Sequence, residues 1–145
     1  MRKERGKKTW SPKVILEIPE LDEDHQRLLG RVNALVAAVA SKTPSRVQSA
    51  LSALRCETEA HFAREEALMF EARYPRLEQH RARHQRLLRA LRAFRFALDA
   101  SGRLRLPLVP MNYIRRWFVA HVARDDRMVA SYLDETEDIF LIGLA

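Results

Sequence analysis

Apolar residues recur every three or four positions in four segments of the chain, and Gly and Pro residues punctuate the stretches between them. This spacing places the apolar side chains on one face of an α-helix, whereas a half-buried strand would alternate them. The predicted helices span residues 22–40, 44–73, 76–100 and 111–133. Because mostly short links favour antiparallel neighbours, we expect an all-α fold, an up-and-down antiparallel four-helix bundle. Residues 1–19 would form an N-terminal arm and residues 134–145 a C-terminal tail.

The size and charge of the chain indicate which kind of protein it is. Its 145 residues fit one domain, here spanning residues 1–145. The net charge of +7 comes from arginines that are interleaved with glutamates along the helices, so we expect solvated outer faces and no nucleic-acid partner. No apolar run approaches the ~20 residues of a membrane-spanning helix. The single cysteine, Cys56, and the lack of a signal peptide favour the cytoplasm.

All five histidines fall on the predicted inward faces, and every predicted helix contributes at least one of them. A single histidine on such a face is usually a core residue with a hydrogen-bond partner. Burying five imidazoles without strong partners would be costly, because each ring carries a polar nitrogen at either edge. Metal ions would remove this cost. The histidines are His25, His61, His80, His84 and His121.

The spacing of two pairs strengthens the metal hypothesis. His80 and His84 lie one helical turn apart, and so do His61 and Glu65, so that each pair can reach one metal ion from one helix face. Imidazole and carboxylate ligands together suit iron or manganese, and a carboxylate can bridge two ions. The sequence therefore predicts a metal site inside the bundle.

From Trp10 to about Leu133 the chain resembles the hemerythrins, particularly their single-domain bacterial members. The most specific likeness is the central block that begins at His61. The matching stretches are Ile18-Pro19-Glu20-Leu21-Asp22 before His25, His61-Phe62-Ala-Arg-Glu65-Glu66-Ala-Leu-Met69, Tyr74-Pro75, His80 with His84, and Trp117-Phe-Val-Ala-His121 with Asp126.

The resemblance implies a non-haem centre of two iron ions, bridged by a solvent-derived oxo or hydroxo group. One iron would be bound by His80, His84 and His121 and the other by His25 and His61, with Glu65 and Asp126 bridging them. Dioxygen would bind reversibly at the open position of the two-histidine iron, for oxygen storage, delivery or sensing. Leu28, Leu54, Leu68 and Trp117 would line the site and exclude water.

Two acids compete for the second bridging position. In a regular helix Asp125 lies one turn after His121 and on the same face. The family pattern favours Asp126, which can reach the site only if the helix widens locally, as in a π-bulge. We expect the bulge and Asp126.

Glu57 and Asp24 depart from what the resemblance leads us to expect. Glu57 lies one turn before His61, where an aromatic or apolar residue is expected; it would either pair with an arginine near the bundle end or sit beside the open iron. The second possibility would make the protein a di-iron oxidase or peroxidase rather than an oxygen carrier. Asp24 stands where glutamine is expected, and we assign it no function beyond suiting a helix start. Residues 101–110 are expected to form a loop.

Overall fold

The computed structural model describes the backbone of residues 15–101 and 111–143, and the side chains of residues 15–94 and 113–135. Within these ranges the elements are helical: α1 (Pro19–Ala40), α2 (Pro44–Glu71), α3 (Leu77–Ser101), α4 (Met111–His121), a π-helical turn (Val122–Asp126) and α5 (Arg127–Gly143). His121 and Arg127, which flank the π turn, keep right-handed helical angles, so α4, the turn and α5 form one continuous helix. Helix α1 packs against α2 and α4, and α2 packs against α3. The predicted all-α four-helix bundle is confirmed.

Helices α1 and α2 both begin with proline, at Pro19 and Pro44. Proline suits this position because its fixed φ is already helical and because the first N–H groups of a helix have no partner within it. The segment before α1 is hydrogen-bonded to the first turn of the helix, because the Leu16 N–H donates to Asp22 Oδ1 over 2.8 Å. Helix α1 begins at Pro19, slightly before the predicted residue 22.

Helix α2 ends in a Schellman motif built on a non-glycine residue. Arg73 adopts φ 55°, its N–H donates to the Phe70 carbonyl over 3.1 Å, and the Tyr74 N–H donates to the Met69 carbonyl over 2.9 Å. Tyr74 and Met69 also pack together in a small buried cluster, which is the hydrophobic contact that accompanies this motif. The motif turns the chain towards α3 just before Pro75.

The core contains apolar residues that helical spacing places on the inward faces, among them Leu28, Val32, Leu51 and Leu91. Regular helical spacing predicts that Met128, two turns after His121, faces inward. This prediction is wrong: Met128 is 42% exposed, and Val129 takes the inward position with 0% exposure. The π turn explains the change, because it accommodates one extra residue and so shifts every later position of the helix by one.

The fourth bundle helix also continues past the predicted end at residue 133, because α5 runs to Gly143. The prediction of a tail is therefore wrong for residues 134–143. The predicted arm over residues 1–14, the loop over 102–110 and the packing of the apolar side chains near the C-terminus lie outside the described residues. Within the described part of the chain, no helix combines the length and the apolar character needed to cross a membrane.

Candidate metal centre

The structure brings together all seven side chains predicted to bind metal. They come from every helix of the bundle, and each is at most 4% exposed. Their candidate ligand atoms form two groups, and within each group these atoms lie within 4.8 Å of one another. The first group is Glu65, His80, His84, His121 and Asp126, and the second is His25, His61, Glu65 and Asp126.

Glu65 and Asp126 belong to both groups and lie between the histidines. The Glu65 carboxylate is 3.0 Å from His61 Nε2 and 2.7 Å from His80 Nε2. The Asp126 carboxylate is 3.1 Å from His25 Nε2 and 3.0 Å from His121 Nε2. Each carboxylate therefore has one oxygen facing each group, which is the arrangement that a carboxylate bridging two ions requires.

The cluster contains many buried polar atoms without hydrogen-bond partners. Despite these short distances, both oxygens of Glu65, both oxygens of Asp126, His80 Nε2 and both ring nitrogens of His25 lack a correctly oriented partner among the described residues. Leaving that many polar atoms unsatisfied in a protein interior is expensive. Carboxylate oxygens and imidazole nitrogens are also metal ligands that suit iron, so the residues fit a di-iron centre.

His84 and His121 show the need for a cation most directly. Their Nε2 atoms are 3.1 Å apart. His84 Nδ1 lies 2.9 Å from Glu66 and His121 Nδ1 lies 3.0 Å from Asp125. A carboxylate on Nδ1 favours the tautomer with the proton on that nitrogen. Both Nε2 atoms then present lone pairs to each other, and a shared cation would relieve their repulsion.

Asp24 is a functional residue that the sequence reasoning missed. It is buried, and its carboxylate lies 2.9 Å from His61 Nδ1 while it also accepts two hydrogen bonds from Arg64, of 2.9 and 2.7 Å, and one from Arg27. The carboxylate thus directs His61 Nε2 into the cluster. No sequence signal could show this, because the partner histidine lies on another helix.

The carboxylates on His84 and His121 are held by arginines in the same way as Asp24. Glu66 lies 3.2 Å from Arg81, and Asp125 forms an ion pair with Arg83. Three of the five histidines thus have an arginine-bound carboxylate at Nδ1, which fixes the ring orientation before a metal binds. The sequence reasoning assigned no such role to Glu66 or Asp125.

The two acids in the π turn have separate roles. Asp125 is partly exposed and contacts His121 from one turn away, whereas Asp126 is fully buried and lies inside the cluster. The expected π-bulge is present at residues Val122–Asp126. It is the reason that Asp126, rather than Asp125, lies among the histidine Nε2 atoms.

The ionisation of the cluster reflects burial and close neighbours. Burial opposes the charged form of His80, but the carboxylates of Asp126 and Glu65 raise its pKa to about 9. Burial lowers the pKa of His84 to about 3, and the nearby His121 adds to this effect. Burial would raise the pKa of Asp126, yet His121 and His25 hold it well below its usual range. In the metal-free protein, Asp126 is therefore an anion and His84 an uncharged imidazole.

Glu57 is paired with arginines rather than with the cluster. Its carboxylate lies 3.3 Å from Arg31 and 3.6 Å from Arg27, and it is partly exposed. The next residue, Thr58, is the one that faces inward, and its hydroxyl donates to the Leu54 carbonyl over 2.7 Å. The arginine-pair interpretation of Glu57 is confirmed.

Aromatic and aliphatic side chains pack around the imidazoles. The Phe62 ring stacks on His84 with a centroid distance of 3.6 Å, the Phe118 ring lies 6.0 Å from His25, and Trp117 stacks on His121 at 4.6 Å. Phe62 and Phe118 also line an enclosed space of about 10 Å³, whose other walls include the predicted Leu28 and Leu54. The space is at the lower limit for a single molecule of the size of water. Leu68 is only partly buried and packs at the core margin.

A family model described as "Hemerythrin HHE cation binding domain" matches residues 16–133. The chain belongs to the hemerythrin family. The match includes all seven clustered side chains, from His25 to Asp126, and so agrees with the resemblance in sequence.

Individual relatives support the same assignment. The chain is 33% identical to a bacteriohemerythrin of Ralstonia nicotianae over 86% of its own length and 87% of the relative's. It is 28% identical to a bacteriohemerythrin of Stenotrophomonas maltophilia over 83% of its own length and 78% of the relative's. A crystal structure of wild-type hemerythrin superimposes with a TM-score of 0.77 at 24% identity, covering 86% of this chain and 96% of that one. This last likeness confirms the fold.

Proposed function

We propose that this protein binds dioxygen reversibly at a di-iron centre held by the seven clustered side chains, and so stores, delivers or senses oxygen. The observation that carries the proposal is the 3.1 Å approach of His84 Nε2 and His121 Nε2, with both Nδ1 atoms beside carboxylates. With a carboxylate at each Nδ1, both Nε2 lone pairs face each other, and a metal ion between them would relieve their repulsion.

The division of the residues between two ions follows the two groups. His80, His84 and His121 would bind one iron, and His25 and His61 the other. Glu65 and Asp126, which belong to both groups, would bridge the pair. The second iron would have fewer protein ligands, which leaves room for a small ligand on that side. Iron, when bound, supplies the electrons that dioxygen accepts there.

The apolar space beside Phe118 and Phe62, whose rings lie 6.0 Å from His25 and 5.8 Å from His61, favours binding over turnover. The 10 Å³ space is lined by Leu, Val, Ile and Phe side chains together with Thr58. The Thr58 hydroxyl proton is already donated to the Leu54 carbonyl. None of the residues lining this space is ionisable, so this wall offers no acid for proton-dependent reduction of oxygen. The pairing of Glu57 with arginines gives the oxidase hypothesis no structural support.

His84→Ala tests the ligand assignment. The substitution removes one imidazole from the group that also contains His80 and His121, so we expect iron content to fall clearly below two per chain. Gln85→Ala changes the exposed neighbour on the same helix and should keep both irons. Metal analysis after anaerobic loading with ferrous iron measures both variants. Two tightly bound irons in His84→Ala would show that the assignment is wrong.

A further inference from the structure

A surface depression lies directly over one side of the candidate metal centre. Its outer part has a volume of about 830 Å³ and lies between Tyr74–Arg76, Arg83 and the residues of the π turn and α5. Its inner part, of about 200 Å³, is lined in part by His80. Both parts share Arg83, Asp125 and Met128, so the depression leads from the surface to a candidate metal ligand.

The depression carries an excess of positive charge. Four arginines line it, Arg76, Arg83, Arg124 and Arg127, against the two carboxylates of Asp125 and Glu135. Asp125 is already paired with Arg83, whose side chain remains about half exposed. This surface would therefore attract a negatively charged binding partner most strongly.

An exposed methionine lies among these arginines. Met128 is 42% exposed, because the π turn that brings Asp126 into the cluster also turns Met128 outward. Tyr74 and Tyr132, which pack edge to face at 5.3 Å, line the same depression. Methionine, tyrosine and arginine are among the residues that are enriched in protein interfaces, so the composition of this surface is typical of a docking site.

The depression is connected to the cluster through contacts of a few ångströms. Arg83 pairs with Asp125, and the other oxygen of Asp125 lies 3.0 Å from His121 Nδ1. His80, which lines the inner part, lies 2.7 Å from Glu65. A redox group docked here would thus be separated from the candidate metal ligands by one or two side chains.

We propose that this arginine depression, formed by Arg76, Arg83, Arg124 and Arg127 around Met128, docks an acidic one-electron donor protein of the flavin or iron–sulfur class. The inference rests on the proposed function, since a di-iron centre that has lost its electrons must be reduced again before it can bind dioxygen. In each encounter the donor loses one electron and one ferric ion becomes ferrous. Two encounters restore the pair, and no covalent bond is made or broken.

The test uses a reduced plant-type [2Fe–2S] ferredoxin as the acidic probe and the oxidised, iron-loaded protein as the acceptor, followed by stopped-flow absorbance. We compare Arg76→Glu/Arg124→Glu with the control Arg46→Glu/Arg89→Glu, whose residues do not line the depression. At low salt, reversing two rim charges should slow reduction by ferredoxin about tenfold or more, within the range of electrostatic steering. Reduction by the methyl viologen radical, a small cation, should not slow.

Equal rates of reduction by ferredoxin in the two double variants would overturn the proposal. So would arginine-dependent binding of ferredoxin to the zinc-loaded protein, measured by titration calorimetry, with no electron transfer to the iron-loaded form. If reduction depends on the arginines but the reduced protein binds no dioxygen reversibly, the docking surface stands and the proposed function fails. Reversible dioxygen binding with arginine-independent reduction would support the proposed function and refute the docking surface.

Discussion

Replacing Asp24 by Asn should weaken one metal site far more than it weakens the fold. The carboxylate contacts His61 Nδ1 at 2.9 Å and accepts two hydrogen bonds from Arg64. An asparagine keeps the shape but loses the charge, and its amide can present a donor to His61 and favour the wrong tautomer. Loss of such a partner typically reduces metal affinity about 10- to 100-fold, which corresponds to roughly 1.4–2.8 kcal/mol.

The cost to stability should be smaller, about 1 kcal/mol, because asparagine keeps an oxygen that can accept from Arg64 and the half-exposed Arg64 keeps its contact with water. A competition titration against a chromophoric chelator measures stepwise metal affinity, and urea unfolding of the metal-free protein measures stability. Glu23→Gln is the matched control, since Glu23 is the exposed neighbour that also pairs with Arg27. The reasoning fails if Asp24→Asn binds both ions as Glu23→Gln does, or if both sites weaken equally.

Five further substitutions, the last of them a control, test separate parts of the structure. Asp126→Ala should leave fewer than two metal ions per chain by elemental analysis, whereas Asp125→Asn should keep both ions and weaken their binding only about tenfold, by loss of the His121 contact. Arg73→Gly should raise the free energy of unfolding by about 0.5–1 kcal/mol, because glycine adopts the φ of 55° without steric cost; unchanged or lower stability would contradict this. Leu51→Ala should lower the free energy of unfolding by about 2–5 kcal/mol, while the exposed Ser52→Ala should stay within about 0.5 kcal/mol, both by urea unfolding.

Helical spacing was enough to predict the bundle and to place most of the core. The three- and four-residue intervals fix which residues share a face, so His80 with His84 and His61 with Glu65 could be placed inward from sequence alone. The same rule failed after His121. A regular helix puts Asp125 and Met128 inward, and only the family resemblance indicated the extra residue that instead brings Asp126 and Val129 inside.

The carboxylates that contact the histidine Nδ1 atoms could not be predicted from the spacing of residues along the sequence. Asp24 lies next to His25 in sequence but contacts His61 on α2, and Glu66 of α2 contacts His84 on α3. Such pairs depend on how neighbouring helices are rotated and shifted against each other. Intervals within one helix carry no information on this, and Asp24 therefore looked like an acid that merely suited a helix start.

An optical oxygen titration of the protein loaded anaerobically with ferrous iron, with metal counted per chain, tests the central claim most directly. We predict two irons per chain, a visible absorption band that appears as oxygen is added, and loss of that band when oxygen is removed, over repeated cycles. An absorption change that does not reverse and that consumes reductant on every cycle would contradict reversible binding. Iron bound at fewer than two per chain would contradict the di-iron centre itself.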